Sequence, residues 1–454
     1  MKIFTQILSS LIILSNISAN AQSIAAGSST SLFACSGGSG AMSSGENNLG
    51  QLGDGTIINK NTPGTVNGLT NVIAVAAGKH STFLLSDGTV WSCGQNYSGE
   101  LGNGTTNNSS TPGQVIGLTG ITAIKNGEAH TLFLKNDGTV WACGANNHGQ
   151  LGDGTTVDRS TPVQVSGLTN VVAIAAGIYH SLFLKNDGTV WSCGYNLYTQ
   201  LGVSPGSTSP TTPPVQATSL TGIQAIAAGG QFSIFVKNDG TMYSSGNSNY
   251  GMNAGSDLII ASPTLTNLKS ASIGLWHCVF IKNDGTVWST GLNNHGQLGD
   301  GTTNNSNGVQ VSNLTGVTEI ASGSFFSAFL KNDGTVWTVG GNGYGQLGIG
   351  STTDAFVPTQ VTGLCSISTG INNYKNTDPL ISVYPNPSSG IFNVSSSFKF
   401  NEIKCLTILG ETILSKVTDS EKATIDLSGY AKGVYFYQIL EKNKVVSTGK
   451  LIVD

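Results

Sequence analysis

The 454-residue sequence predicts an all-β chain: a seven-bladed β-propeller and, after it, a small Ig-like β-sandwich. Three observations carry this. Asp-Gly-Thr-Val-Trp begins at Asp87, Asp137, Asp187, Asp284 and Asp333, with Asp-Gly-Thr-Met-Tyr at Asp239, in steps of 45 to 52 residues. Such a period marks stacked supersecondary units, none able to bury its apolar face alone. A second motif, Gly-Gln-Leu-Gly-Asp-Gly, occurs at Gly50, Gly149 and Gly296, with variants at Gly99 and Gly345 and degenerate forms at Thr199 and Gly251. It counts seven units. Finally, no amphipathic run of ten or more residues exists to build a helical solenoid.

The elements of one unit follow from alternation and turn chemistry. Val171 to Gly177 is a small-residue apolar run suited to a crowded inner strand. His180 to Lys185 is a second strand, and Asn186-Asp187-Gly188 is a tight turn with glycine at positive φ. Thr189 to Gly194 is a third strand; Pro213 to Gln216, or Pro162 to Val165 one unit earlier, is a short fourth. Four antiparallel strands in about 50 residues make a propeller blade.

Composition narrows the function classes. Charged residues are only 10% of the chain, net charge is -4, and Arg159 is the one arginine. Phosphate backbones are bound by clustered Lys and Arg, so nucleic acid is not an expected partner. Lys2, the apolar core Leu11-Ile12-Ile13-Leu14 and Ala19-Asn20-Ala21 read as a cleavable signal peptide, residues 1–21. No later segment is apolar enough to span a membrane, so the mature chain is expected to have no transmembrane segment.

Together, Ala-Ala-Gly-x-x-His-Ser, Asp-Gly-Thr-Val-Trp-x-Cys-Gly-x-Asn and Gly-Gln-Leu-Gly-Asp-Gly resemble the repeats of the regulator of chromosome condensation family. The resemblance implies a seven-bladed propeller over residues 22–371. That family includes a nuclear exchange factor for a small GTPase and a secreted bacterial inhibitor of β-lactamase, so the fold does not choose a function.

After Leu364 the pattern stops. A linker at 372–379 leads to a C-terminal domain at 380–454, with strands expected at Ile391 to Val394, Ile403 to Ile408, Glu411 to Val417, Ala423 to Leu427, Gly433 to Leu440 and Val445 to Val453. Tyr384-Pro385-Asn386-Pro387, Gly390, Asp426-Leu427-Ser428, Gly433-Val434-Tyr435 and the closing Lys450-Leu451-Ile452-Val453 resemble the type A sorting domain of the type IX secretion system of Bacteroidetes. The resemblance implies export and the type IX machinery as a partner; Asp454 departs from the commoner basic end.

Trp91, Trp141, Trp191, Trp288 and Trp337 share one repeat position and read as core side chains between blades. His80, His130, His180 and His277 share another; a seven-fold ring spreads them too widely for one metal ion, so they read as hydrogen-bonded structural histidines. The Gly-Asp-Gly turns lack the alternating ligands of a calcium loop. Cys93, Cys143 and Cys193 read as free buried thiols, whereas Cys35 and Cys365 lie in the first and last units and are expected to pair as a disulfide closing the ring. No nucleophile elbow or phosphate loop is present, so neither enzyme chemistry nor a cofactor is expected.

Two series of residues vary between units while their neighbours do not. Lys79, Ala129, Tyr179, Gln231, Trp276 and Phe325 precede the histidine position; Leu49, Ser98, His148, Tyr198, Tyr250, His295 and Tyr344 precede the Gly-Gln-Leu-Gly motif. Tyr179, Trp276, Phe325, Tyr198, Tyr250 and Tyr344 are the candidate binding residues, on one face. Two readings stay open: a recognition surface, or loop drift with aromatics packing locally. The expectation is an exported, non-enzymatic propeller, secreted or on the outer cell surface, that binds a protein or glycan. The alternative is an inhibitor of an extracellular enzyme; exchange-factor and hydrolase roles rank below it.

Overall fold

The computed structural model describes residues 23–35, 40–203, 206–247, 259–260, 265–364, 381–407, 412–442 and 444–454. None of these is helical. The chain divides into two compact units, Met1–Gly370 and Ile371–Asp454. Among the described residues the first unit holds seven four-stranded antiparallel sheets, spanning 24–65, 72–114, 121–164, 171–216, 223–260, 268–310 and 317–360. They are called blades one to seven. In each, strands pair in chain order, so the first strand lies innermost and the fourth outermost.

Blade four shows why the sequence folds this way. Its inner strand is Val171–Ala176, followed by His180–Lys185, Val190–Asn196 and Ser207–Gln216. The second strand is buried on both faces because side chains alternate between two neighbours. Phe183 joins Leu132 and Leu134 of blade three, while Leu182 and Leu184 join Phe235 of blade five. Each blade boundary is thus a separate small core, which is why no unit is stable alone. The Asp187 carboxylate accepts from the Thr189 amide and hydroxyl at 3.0 and 2.6 Å, setting the turn in which Gly188 takes φ +78°.

The ring closes between blades seven and one. Ile24 and Phe33 pack with Ala328, Leu330 and Val336. The Ser31 hydroxyl donates to the Gln346 carbonyl at 2.6 Å, and the Gly350 amide donates to the Asn61 carbonyl at 2.8 Å. Cys35 is disulfide-bonded; its expected partner, Cys365, lies outside the described residues.

The seven boundaries also meet at the axis, in a ring of glycines: Gly27, Gly78, Gly127, Gly177, Gly229, Gly274 and Gly323. A Cβ on each would lie 2.6 Å or less from the carbonyl oxygen of the next, and Gly323 faces Gly27. No side chain fits there. The glycine is therefore required by close approach of neighbouring backbones rather than by a turn.

Among its described residues the second unit forms one five-stranded sheet over its own core of Phe392, Val394, Phe400, Ile403, Ile425, Ile439 and Leu451. Its strands correct the sequence expectation. Ile391 to Val394 and Ile403 to Leu406 belong to one strand, Ile391–Leu406; Thr412 to Val417 and Ala423 to Asp426 belong to another, Thr412–Asp426; Ile408 and Glu411, the expected ends, lie outside the described residues. Register breaks near Ser395, Phe400 and Glu402 let one strand change partners, which in sequence looks like a strand end. An additional strand, Ile381–Tyr384, pairs with Ser396 through Asn393.

Candidate functional site

Among the described residues, the loops that follow the ring glycines and the loops between third and fourth strands lie at the same end of their blades. In blade four the Tyr195 amide donates to the Tyr179 carbonyl at 2.9 Å; in blade six Leu292 does the same to Trp276, and in blade seven Gly341 to Phe325 at 2.8 Å. Backbone pairing thus fixes both variable series on one rim.

Beneath the rim, the histidines hold blades together. His80 Nε2 lies 2.7 Å from the Thr131 hydroxyl, His130 Nε2 3.0 Å from Ser181, His180 Nε2 2.8 Å from Ser233 and His277 Nε2 2.9 Å from Ser327. Each hydroxyl donates onward to a carbonyl of the blade before it, such as Ser181 to Gln150 at 2.7 Å. It must therefore accept from the imidazole, which puts the proton on Nε2. The four Nδ1 atoms are buried without partners. Burial pushes His80 and His180 down to about 3 and His130 and His277 to about 4, so all four are neutral. In blades five and seven Phe232 and Phe326 fill the same place.

The Gly-Asp-Gly loops are organised by an amide, not an ion. Asn47 Nδ2 sits among Asp54 Oδ1, the Thr56 carbonyl and hydroxyl and the Ile58 carbonyl at 3.1 to 3.2 Å. Asn96, Asn146 and Asn293 fill the matching oxygen cages. Burial opposes ionisation of Asp54, but hydrogen bonds from Lys60 and Thr56 draw its carboxyl down to about 2. Among the described residues no cluster of three His, Cys, Asp or Glu side chains could hold a metal. Cys93, Cys143 and Cys193 are free and buried, and burial pushes their thiols up.

The candidate binding residues fall into groups that the repeat positions did not reveal. Tyr179 and Tyr198 are both 38% exposed. They belong to one nest: His148 lies 5.0 Å from Tyr179 and 4.9 Å from Tyr195, and Tyr195 lies 6.4 Å from Tyr198. Blade four is taller than blade three here, because Asn196 still pairs with Ser207 beyond the point where blade three stops. Phe325 is half-buried and packs on His295 at 5.4 Å, whose Nδ1 lies 2.8 Å from Asp354 Oδ2. Trp276 is half-buried; Tyr344 is 45% exposed; Tyr250 lies outside the described residues. The histidine preceding one blade's Gly-Gln-Leu-Gly touches the aromatic preceding the next blade's second strand, so the two series form one surface across boundaries. Sequence reasoning missed Tyr195 and the 65% exposed Tyr97, which have no aromatic counterpart to flag them. The five tryptophans do pack against the cores between blades, as expected, but are only half-buried there, with lysines over the rings of Trp191, Trp288 and Trp337 at 5.9, 4.1 and 5.8 Å.

At the rim's centre, around the glycine ring, lies a cavity of about 270 Å³. Ile178, Ile273 and Leu275 give it an apolar side, and Ser28, Asn126, Ser322 and the Lys79–Glu128 ion pair a polar one.

The sequence matches the RCC1-like domain over residues 11–264 and 127–375. The chain belongs to the RCC1-like family. Solved structures agree with this fold. Human WBSCR16 is 23% identical, with a TM-score of 0.63, 70% of this chain and 92% of that one covered. Yeast RCC1 (Prp20), solved bound to Kap60, is 20% identical, with a TM-score of 0.64 and coverage of 80% and 87%. A second structure of Prp20p from Saccharomyces cerevisiae is 22% identical, with a TM-score of 0.62 and coverage of 74% and 87%. No curated protein matches the chain. Beside its RCC1-like propeller, the protein carries a secretion system C-terminal sorting domain at residues 382–454, which implies export through the type IX machinery.

The sorting residues have structural roles. Asn386 Oδ1 accepts from the Ile452 amide at 2.9 Å, and the Ser388 amide donates to the Ile452 carbonyl at 2.9 Å, so the Tyr384 to Pro387 loop fastens the last strand. Pro385, Pro387 and Tyr384 themselves are exposed. Gly390 takes φ +114° against Ser428. The Tyr435 hydroxyl donates to the Ala431 carbonyl at 2.7 Å, just ahead of the strand that begins at Gly433.

Proposed function

We propose that this protein is an exported, non-enzymatic binding module, secreted or held at the outer surface, whose aromatic rim engages a protein or glycan. One observation carries the reading: the nest of His148, Tyr179, Tyr195 and Tyr198, with two tyrosines 38% exposed on a rigid frame beside an open cavity. Such rings offer large contact area at little entropic cost, and aromatics dominate binding hot spots. The nest is also the place where the repeat is broken, by a taller blade.

The test uses the secreted form as bait against culture supernatant and a glycan array. A captured partner should lose about 2 kcal/mol of affinity with Tyr179→Ala. Equal binding by that variant would move the site elsewhere. If the partner is an enzyme whose activity falls on binding, the module is an inhibitor. Mass spectrometry of the secreted form should find a start at Gln22 and no peptides from Tyr384 onward. A full-length chain in the cytoplasm would remove the export part of the reading.

A further inference from the structure

The axial cavity takes three residues from every blade: the ring glycine and its two chain neighbours. Around the axis these triplets are not alike. Blades four, five and six offer only alkyl groups and glycine, with Ile178, Ile273 and Leu275 the largest. Blades seven, one, two and three offer hydroxyls, an amide and the Lys79–Glu128 ion pair. The cavity thus has an apolar arc of three blades and a polar arc of four. Its two charges neutralise each other, so the wall selects for no net charge.

The position before the ring glycine marks where the two arcs meet. Four blades carry alanine there, Ala26, Ala77, Ala176 and Ala228, and blade six carries Ile273. Blade three has Asn126 and blade seven Ser322, one at each edge of the apolar arc. Asn126 Nδ2 donates to the Ala76 and His80 carbonyls of blade two, both at 3.1 Å. Those bonds account for its nitrogen but not for its oxygen. Asn126 Oδ1 and Ser322 Oγ are buried, and neither has a hydrogen-bond partner among the described residues. A buried acceptor left in that state costs free energy that an alanine would not. Blade packing therefore gives no reason for either oxygen.

We infer that the axial cavity binds a short, neutral, aliphatic small molecule with a hydroxyl at each end. Its stem lies along Ile178, Ile273 and Leu275. One hydroxyl donates to Asn126 Oδ1, and the other pairs with Ser322 Oγ. At about 270 Å³ the cavity far exceeds the roughly 30 Å³ share of one water and falls just below the ~300–1,000 Å³ of pockets for drug-sized ligands. A short diol suits that room. The aromatic nest takes no part, because none of its four rings lines the cavity.

The test uses the full chain with ¹³C-methyl isoleucines, followed by NMR. The Ile178 and Ile273 signals are assigned by their loss in Ile178→Val and Ile273→Val. 1,4-Butanediol, 1,5-pentanediol and 1,6-hexanediol are titrated, each against its dimethyl ether, which keeps the stem and has no donor. The expected result is a saturable shift of both signals with at least one diol. The matching ether should bind roughly tenfold or more weakly, the worth of the lost hydrogen bonds. Ser322→Ala installs the residue that four other blades carry, so the fold is kept, and that diol should bind about three- to tenfold more weakly. Asn126→Ala should weaken it similarly. That variant also gives up two bonds to blade two, so its melting temperature is measured beside its affinity; if it does not fold, Ser322→Ala decides. Signals unmoved by every diol, diols and ethers bound equally, or a Ser322→Ala titration like the parent's would leave the two oxygens to water alone and overturn the proposal. Tyr179→Ala leaves the diol titration unchanged, so failure of the rim as a partner site is distinguishable from failure of the pocket.

Discussion

Gly177 and Tyr179 stand on one loop of blade four. Gly177 is the same residue in all seven blades, whereas Tyr179 is matched by Ser29, Lys79, Ala129, Gln231, Trp276 and Phe325. The glycine faces the next blade's backbone, and that neighbour is itself a glycine, so one change is felt on both sides. The tyrosine faces solvent and the side chain of His148, which also varies. Uniformity between units thus tracks backbone-to-backbone contact across a boundary, and variation tracks contact with solvent or another variable side chain.

Acid should break the inner half of this comparison most strongly. The four imidazoles are held well below their usual 6.5, so the unfolded chain binds protons that the folded one cannot. Their contribution is fully present above pH 6.5 and is lost as pH falls toward 4, the folded values being about 3 to 4. At about 1.4 kcal/mol per pH unit for each group, the four together amount to on the order of 14 kcal/mol over that interval. Glu319 acts in the other direction: its carboxyl is raised, so its contribution is present below 4.5 and fades as pH rises through about 7. Denaturant melts between pH 7 and 4 should show the steep acid loss; a flat profile would mean the imidazoles are not neutral and buried.

Substitution at the ring comes next. Gly177→Val should cost about 3 kcal/mol or more, because the side chain must enter the His180 ring and the Gly229 carbonyl. Gly167→Ala, at φ +70° with open space around it, should cost only about 1–2 kcal/mol. Chemical denaturation of the pair separates close approach from backbone conformation; equal costs would leave the glycine ring unexplained.

On the rim the order reverses. Trp276→Ala and Tyr198→Ala should each weaken a partner by about 2 kcal/mol. The exposed Tyr198 should lose less than about 1 kcal/mol of stability, and the half-buried Trp276 more. Melting temperature and affinity measured together check this. The smallest effect belongs to the far end: Asp187→Asn keeps the turn acceptor and should change stability by about 0.5 kcal/mol and affinity not at all.

Much of the fold was legible because the repeat forces it to be. Period, turn residues and small inner strands placed every blade, since each motif answers to a contact made at successive boundaries. The C-terminal strands were split because a register break and a strand end have the same polar signature around Ser395 to Asn401. The rim was legible as a face but not as groups. Nothing in the spacing says that His148 of one unit meets Tyr179 of the next, or that Tyr195 joins Tyr179 to Tyr198. Contacts of that kind depend on a neighbour 30 residues away whose identity the repeat leaves free. The Asn47-type amides were also missed as cage fillers, because two of the four oxygens that surround them are backbone carbonyls, which no residue type announces.

Among the described residues, five blades place the Gly-Gln-Leu-Gly loop on the outer strand of the blade that follows: Gly50 on Ser110, Gly99 on Ser160, Gly149 on Thr212, Gly296 on Phe356 and, across the seam, Gly345 on Asn61. In the language of assemblies this is a head-to-tail joint, with one donor surface and one acceptor surface per unit. Such joints either return to their start or run on without end, and seven turns bring the last donor back to the first acceptor. A chain that gained or lost a unit would carry one donor and one acceptor with nothing to meet except another copy. Blade number is therefore a safeguard against polymerisation, which lets an exported protein vary its rim freely while its count of blades stays fixed.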